Sequence, residues 1–103
     1  MGADPHTKYM FFVYVLKSKK DGNMYIGSTN DLERRLDEHN QGRVFSTKSR
    51  TPFEVVYYEA YKSEQDARLR ESRLKLRSKA FAQLKRRIAR SVVSSFGVGA
   101  DCG

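Results

Sequence analysis

The chain has a single cysteine, Cys102, in its C-terminal tail, so it can form no intramolecular disulfide and no cysteine-based metal cluster. It has no run of about 18 apolar residues of the kind a membrane span requires. Met1 to Tyr9 lacks the basic-then-apolar order of a secretory signal. A cytosolic (cytoplasmic) setting with no membrane partner is therefore expected. Nor is there length for a second core: a chain of 103 residues buries roughly 60 to 70 % of its unfolded surface and holds one modest domain.

Acidic residues are scarce in one region only. From Met1 to Tyr61 there are 9 basic and 8 acidic residues, from Lys62 to Arg90 there are 11 and 3, and beyond Arg90 only Asp101 is charged. The net charge of +8 thus belongs to one C-terminal helical segment. Exposed helices ordinarily mix signs so that neighbours can pair, and an unbalanced basic helix is the footprint of a polyanion-binding face. A solvated helix surface is the plainer alternative.

Residues 1–8 lack periodicity and read as a flexible leader, 9–92 as the folded domain, and 93–103, small and Gly-rich from Ser94, as a disordered tail. Tyr9 to Lys17 is apolar without alternation, which predicts a central strand covered on both faces, with Phe11, Val13 and Val15 pointing one way and Phe12, Tyr14 and Leu16 the other. The Asp21-Gly22 turn signal reverses the chain into a second strand, Met24 to Ser28; whether Tyr14 and Tyr25 share a face depends on its register. Asn30, followed three residues on by Glu33, predicts an N-cap and a helix from Asp31 to near Gly42. A polar loop to Pro52 carries Arg43, Lys48 and Arg50, suited to phosphate contacts. Phe53 to Tyr61 predicts a third strand with Glu54 and Glu59 at solvent-facing or edge positions. Ser63 with Asp66 caps a helix to about Arg77, and Ser78 caps a last one, with Phe81, Leu84 and Ile88 as its stripe and Lys85, Arg86, Arg87 and Arg90 around it. The expected fold is α/β (α+β): a three-stranded, mostly antiparallel sheet flanked by three helices in the order β-β-α-β-α-α.

Three residues break the pattern. Leu32, Arg35, Leu36 and His39 form a stripe at i, i+3, i+4, i+7 spacing, yet an arginine is rarely buried without a partner. Arg35 and His39 must either reach solvent at the stripe's edge or point into a polar cleft. In the later helix the best apolar spacing is Ala67, Glu71 and Leu74, which turns a carboxylate toward the sheet. Stranding it there costs several kcal/mol unless it is paired, hydrogen-bonded or metal-bound. A Glu71–arginine ion pair would answer this, as would a helix rotated so that Leu69, Leu74 and Leu76 pack instead.

With these residues in place, the chain resembles a short stand-alone bacterial GIY-YIG nuclease domain from Met10 to about Arg90. The two tripeptides of the family correspond to Phe12-Val13-Tyr14 and Tyr25-Ile26-Gly27, the first keeping the tyrosine but not the glycine. The family's helical arginine falls at Arg35, a frequent histidine at His39, and its metal-binding glutamate at Glu71. The terminal asparagine of many members has no counterpart, since none follows Asn40.

The resemblance implies a metal-dependent DNA endonuclease, acting in repair, recombination or processing of branched or damaged DNA. It implies one divalent ion, Mg²⁺ or Mn²⁺, on Glu71, a phosphate clamp at Arg35, and Tyr14 and Tyr25 positioning or deprotonating the attacking water. Tyr14 as a base would need a cation to lower its pKa, from Arg35, His39 or Lys75. DNA contacts would come from Arg43, Lys48, Arg50, Lys75 and Arg86. Plainer roles stand beside these: strand aromatics for the tyrosines, a helix-end hydrogen bond for His39, a bend or close phosphate approach for Gly27. Packing, capping and surface charge would equally explain Tyr57, Thr29 and Lys75. A basic module that binds nucleic acid without cleaving is the alternative function, and a protein partner supplying targeting is a third.

Overall fold

The first strand, β1 (Phe11–Ser18), is apolar throughout because it is central and covered on both faces. The computed structural model describes residues 9–76 and 79–94, and in it β1 lies between β2 (Met24–Thr29) and β3 (Phe53–Tyr61), antiparallel to both. Helix α1 (Leu32–Asn40) covers one face, and α2 (Glu64–Lys75), α3 (Lys79–Arg87) and α4 (Ala89–Ser94) the other. The expected α+β architecture is thus present, with one helix more than anticipated. The last helix breaks at Ile88 into α3 and α4, although Val92 still donates to the Ile88 carbonyl at 3.0 Å.

The alternation of β1 separates two apolar clusters. Val13 and Val15 pack with Ile26, Ala67, Leu74, Leu84 and Ile88 under α2 to α4, while Tyr14 and Leu16 pack with Phe53, Leu32 and Leu36 under α1. Each fully buried Leu or Val contributes about 1.5–3 kcal/mol, which orients both helices without help from disulfides. Lys17, though charged, is buried on the α2 side, where its ammonium donates to the Val92 carbonyl at 3.1 Å and ties α4 to the sheet.

Local signals set most boundaries. The turn after β1 closes with the Gly22 amide on the Ser18 carbonyl at 2.9 Å, and Gly22 takes φ 76°, a left-handed conformation glycine adopts without strain. Ser63 caps α2 by accepting from the Asp66 amide at 3.3 Å. Helix α2 ends at Lys75, closed by Leu76; the expected extension to Arg77 and the Ser78 cap lie outside the described residues, as do the leader and the tail from Ser95. The cap of α1 moves by one position. Asp31, not Asn30, holds extended geometry and accepts from the Arg34 amide at 3.1 Å, whereas the Asn30 side chain accepts from the Arg34 guanidinium at 3.2 Å. Two adjacent residues of capping type compete here, and the carboxylate wins the helix N-terminus, where negative charge is favoured.

A bulge redirects β3. Val15 pairs with Tyr57 but Leu16 pairs with Val55, so one residue of β3 is skipped. In an unbroken strand residues 53, 55, 57, 59 and 61 would share a face. Instead Phe53 and Val55 face α1, while Tyr57, Glu59 and Tyr61 face α2. Glu59 is therefore not solvent-facing as expected, although β3 is an edge strand. Its carboxylate takes three hydrogen-bond contacts from Arg70, of 2.9, 3.0 and 3.1 Å, one from Tyr57 at 2.7 Å and one from Tyr61.

Candidate active site

Tyr14 and Tyr25 do share a face. Tyr14 is paired with Gly27 and Leu16 with Tyr25, so both phenols point to the α1 side, with ring centroids 6.4 Å apart. The stripe of α1 delivers His39 to the same place. His39 is fully buried, its Nε2 3.0 Å from the Tyr14 hydroxyl and its Nδ1 2.8 Å from Thr47 Oγ1. Thr47 in turn donates to the Val44 carbonyl at 3.4 Å. A hydroxyl has one proton to give, so Thr47 accepts from His39 Nδ1–H, and Nε2 is left to accept from Tyr14. The side chain of Asn40 holds the end of α1 to β3 through both polar groups of Phe53, at 2.7 and 3.1 Å. These bonds bury His39 among the rings of Tyr14, Tyr25 and Phe53, neither at the solvent edge of the stripe nor in an open cleft.

Burial governs the electrostatics of this chain. It lowers His39 to about 4, assisted by the Arg35 charge, so the imidazole is neutral at physiological pH. Burial likewise raises Tyr14 to about 12, against the lowering effect of the adjacent Arg35 guanidinium. The cation expected to lower the phenol's pKa is present in Arg35, but desolvation outweighs it. With five units between its pKa and neutral pH, only about one Tyr14 in 10⁵ is phenolate, so the resting phenol is a donor rather than a ready base.

Gly27 has a steric reason that neither a bend nor phosphate access requires. A Cβ placed there would lie 2.6 Å from Cζ of Tyr14, and closer still to its hydroxyl. The opposing glycine is what lets the Tyr14 ring lie flat across β2 and reach His39. Substitution by alanine must push either the strand or the ring, an overpacking cost of about 1–3 kcal/mol.

Glu71 comes from the other side. The rotated helix is excluded, because Ala67 and Leu74 are buried while Leu69 and Leu76 are 51 % and 77 % exposed. No arginine pairs with Glu71 among the described residues. Its Oε1 accepts from Ser28 Oγ at 2.6 Å and its Oε2 meets the Lys75 ammonium at 2.6 Å. Ser28 is paired with Val13 and so faces α2, whereas Lys75 lies 5.9 Å from the ring centre of Tyr25, which faces α1. The two halves of the site thus lie on opposite faces of the sheet and meet around the free edge of β2. Arg35 stands between them, bonded to Glu38 at 2.9 Å. It lines, with Ser28, Asn30, Arg34 and Arg68, a cleft of about 290 Å³.

The other candidates divide. Tyr57 is turned to the α2 side by the bulge and bonds Glu59, so it does not join Tyr14. Thr29 acts locally, accepting from the Asp31 amide at 3.1 Å. Arg50 is engaged with Asp21 at 3.1 Å. Arg43, Lys48 and Arg86 are exposed. Thr47 and Ser28, which orient His39 and Glu71, went unnoticed in the sequence because nothing local marks them. Arg68 could have been found, since it stands three residues before Glu71 on one helix face.

No cluster of three potential metal-ligating side chains occurs among the described residues. The residue that would hold a divalent ion is Glu71, whose half-buried carboxylate fits the one or two carboxylates that Mg²⁺ takes beside its waters and a substrate phosphate. Lys75 would have to leave Oε2 first.

The class that the fold defines is a compact α+β domain, a small antiparallel sheet with phenol, imidazole, guanidinium and carboxylate gathered round its edge. Residues 10–87 match the family model described as the GIY-YIG catalytic domain, and the chain belongs to that family. It is 41 % identical over 69 residues to a UPF0213 protein of Bacillus pumilus, covering 66 % of this chain and 69 % of that one. A UPF0213 protein of Clostridium perfringens is 40 % identical over 67 residues, covering 64 % and 71 %. The solution NMR structure of a Bacillus halodurans UPF0213 protein is 32 % identical, with a TM-score of 0.45 over 74 % of this chain and 85 % of that one.

Proposed function

We propose that the chain is a metal-dependent DNA endonuclease, working in the repair or processing of branched or damaged DNA. The observation that carries this reading is the grouping of Tyr14, His39, Arg35 and Glu71 around one strand edge, with Glu71 fixed through Oε1 to Ser28 and its Oε2 closed by a replaceable lysine.

Phosphodiester hydrolysis needs a nucleophilic water, compensation of charge on the phosphoryl oxygens, and stabilisation of the leaving oxygen. A divalent ion on Glu71 would supply charge neutralisation at the phosphate and leaving oxygen. The protein's own groups do the rest. Arg35, a planar donor fork freed from Glu38, takes the phosphoryl oxygens. Tyr14, whose proton is held by His39 Nε2, would orient the attacking water through its phenolic oxygen while the water's proton leaves to solvent, and Thr47 keeps Nε2 available as acceptor by holding the proton on Nδ1. Positioning of this kind needs no phenolate, consistent with a phenol pushed up to about 12. Tyr25 packs against both rings of the pair.

A second reading, a basic module that binds without cleaving, has the Glu71–Lys75 pair in its favour, because a tethered ammonium already neutralises the carboxylate. Nicking of supercoiled and branched DNA with Mg²⁺ or Mn²⁺ separates the two, with Glu71→Gln and Arg35→Ala as comparisons. Cutting by the wild type and none by either variant is the expected result. Salt-sensitive binding with no cutting in any metal would leave the binding module.

A further inference from the structure

Among the described large apolar side chains Phe45 is the most exposed, at 84 %, and it stands in the basic loop between α1 and β3. It does not sit on a loose tip. The Arg43 amide bonds the Glu38 carbonyl at 3.0 Å, and the Thr47 amide bonds the Val44 carbonyl at 3.0 Å. Further along, the Arg50 amide bonds the Thr47 carbonyl at 2.9 Å, the Ser18 hydroxyl bonds the Arg50 carbonyl at 2.5 Å, and the Lys20 ammonium bonds the Ser49 carbonyl at 3.1 Å. The backbone that carries the exposed ring is thus ordered in advance of any contact, which lowers the entropy cost of using it.

Its surroundings suit one chemistry. The Lys48 ammonium lies 4.9 Å from the ring centre, and a second exposed cation, Arg43, stands two residues before Phe45 in the same loop, while the ring itself is left to solvent. An aromatic surface with flanking positive charge is the pattern that stacks a nucleobase and holds the phosphates on either side of it. The mount also fixes the location. Thr47, two residues beyond Phe45, is the residue that bonds His39 Nδ1, so the ring is carried by the segment that orients the hydrogen-bonded chain ending at Tyr14.

We propose that Phe45 is a stacking platform for an unpaired DNA base on the loop that holds His39, which makes the preferred substrate single-stranded or locally unpaired DNA. The assignment rests on the nucleic-acid reading above and adds the structure of the substrate to it. In an intact duplex every base face is already stacked, so an exposed ring gains nothing from it; at a gap, bubble or flap the free base face finds Phe45.

The chain contains no tryptophan, so Phe45→Trp places a single fluorescent reporter at the platform. Titrating Glu71→Gln/Phe45→Trp with a single-stranded oligonucleotide should quench that tryptophan, and an equal-length blunt duplex should quench it far less. Phe45→Ala, in the same Glu71→Gln background, should weaken binding to single-stranded and bubble DNA by about 5- to 150-fold, with the tryptophan variant restoring it and duplex binding changing less than about 2-fold. A tryptophan that is blind to saturating single-stranded DNA, or a Phe45→Ala protein that binds both forms as the parent does, overturns the platform and leaves the nuclease reading standing. If the parent binds neither form even at low salt, both fall together.

Discussion

Glu59 and Glu71 are both half-buried carboxylates on the α2 side, with 15 % and 19 % of their side chains exposed, and their surroundings are opposite in kind. Glu59 is saturated: burial alone would raise it, but the Arg70 fork and the hydroxyls of Tyr61 and Tyr57 hold it below the usual carboxylate range. The same cluster drives Tyr57 and Tyr61 up to about 12, burial again leading and the Glu59 charge adding to it. Glu71 has one fixed partner, Ser28, and one loose one, a lysine 48 % exposed. A carboxylate whose every oxygen is committed to groups that cannot move holds the edge strand to the helix layer. One that keeps an oxygen behind an exposed ammonium can exchange that partner for a ligand.

The contrast can be broken by experiment. Its largest expected consequence is kinetic. Glu71→Gln should lose cutting by at least about 10²-fold while keeping its melting temperature, since the amide oxygen still accepts from Ser28. Unimpaired nicking would remove Glu71 from the mechanism. Glu59→Gln should do the reverse, losing about 2 kcal/mol in urea unfolding because it leaves Arg70 half-buried without its counter-charge, while the folded fraction cuts normally. An unchanged midpoint would mean the cluster is decorative.

The polar chain behind Tyr14 offers an acid-side test. His39 protonates near 6.5 when unfolded and near 4 when folded, so between these values the unfolded chain takes up a proton that the folded one refuses. Stability should therefore fall as pH drops from 6.5 to 4, by roughly 3 kcal/mol from this group. His39→Gln should lack that part of the slope. An NMR titration of the folded protein that gives His39 an ordinary value would contradict the burial argument. The smallest effect concerns the loose partner of Glu71. Lys75→Met should raise Mn²⁺ affinity by about 2- to 5-fold in calorimetry, the worth of an exposed ion pair. A fall in affinity would show that Lys75 supports the ion rather than competing with it.

Much of this molecule is legible in one dimension because its signals are local. The continuous apolar run of β1, the Ser63 cap and the limits of β3 follow from residues within a few positions of one another. Glu71 was noticed because a charge on an apolar spacing is itself local. What stayed hidden depends on pairing between distant segments. The β3 bulge exchanges the destinations of Tyr57 and Glu59, and no alternation in Phe53 to Tyr61 announces it. Ser28 and Thr47 are unremarkable small polar residues until the register of β2 and the path of the loop bring them to Glu71 and His39. The steric demand on Gly27 is likewise not local, because its partner Tyr14 lies thirteen residues away across the hairpin.

The arrangement around β2 also bears on self-association. An outer strand presents a row of unpaired backbone groups onto which another chain can add, and β2 is such a strand. Here the Ser28–Glu71–Lys75 series passes round that edge toward Tyr25, so a strand docking there would have to bury a carboxylate and an ammonium. Charge at that edge disfavours strand addition there, and variants that strip both charges at once should be the ones that aggregate.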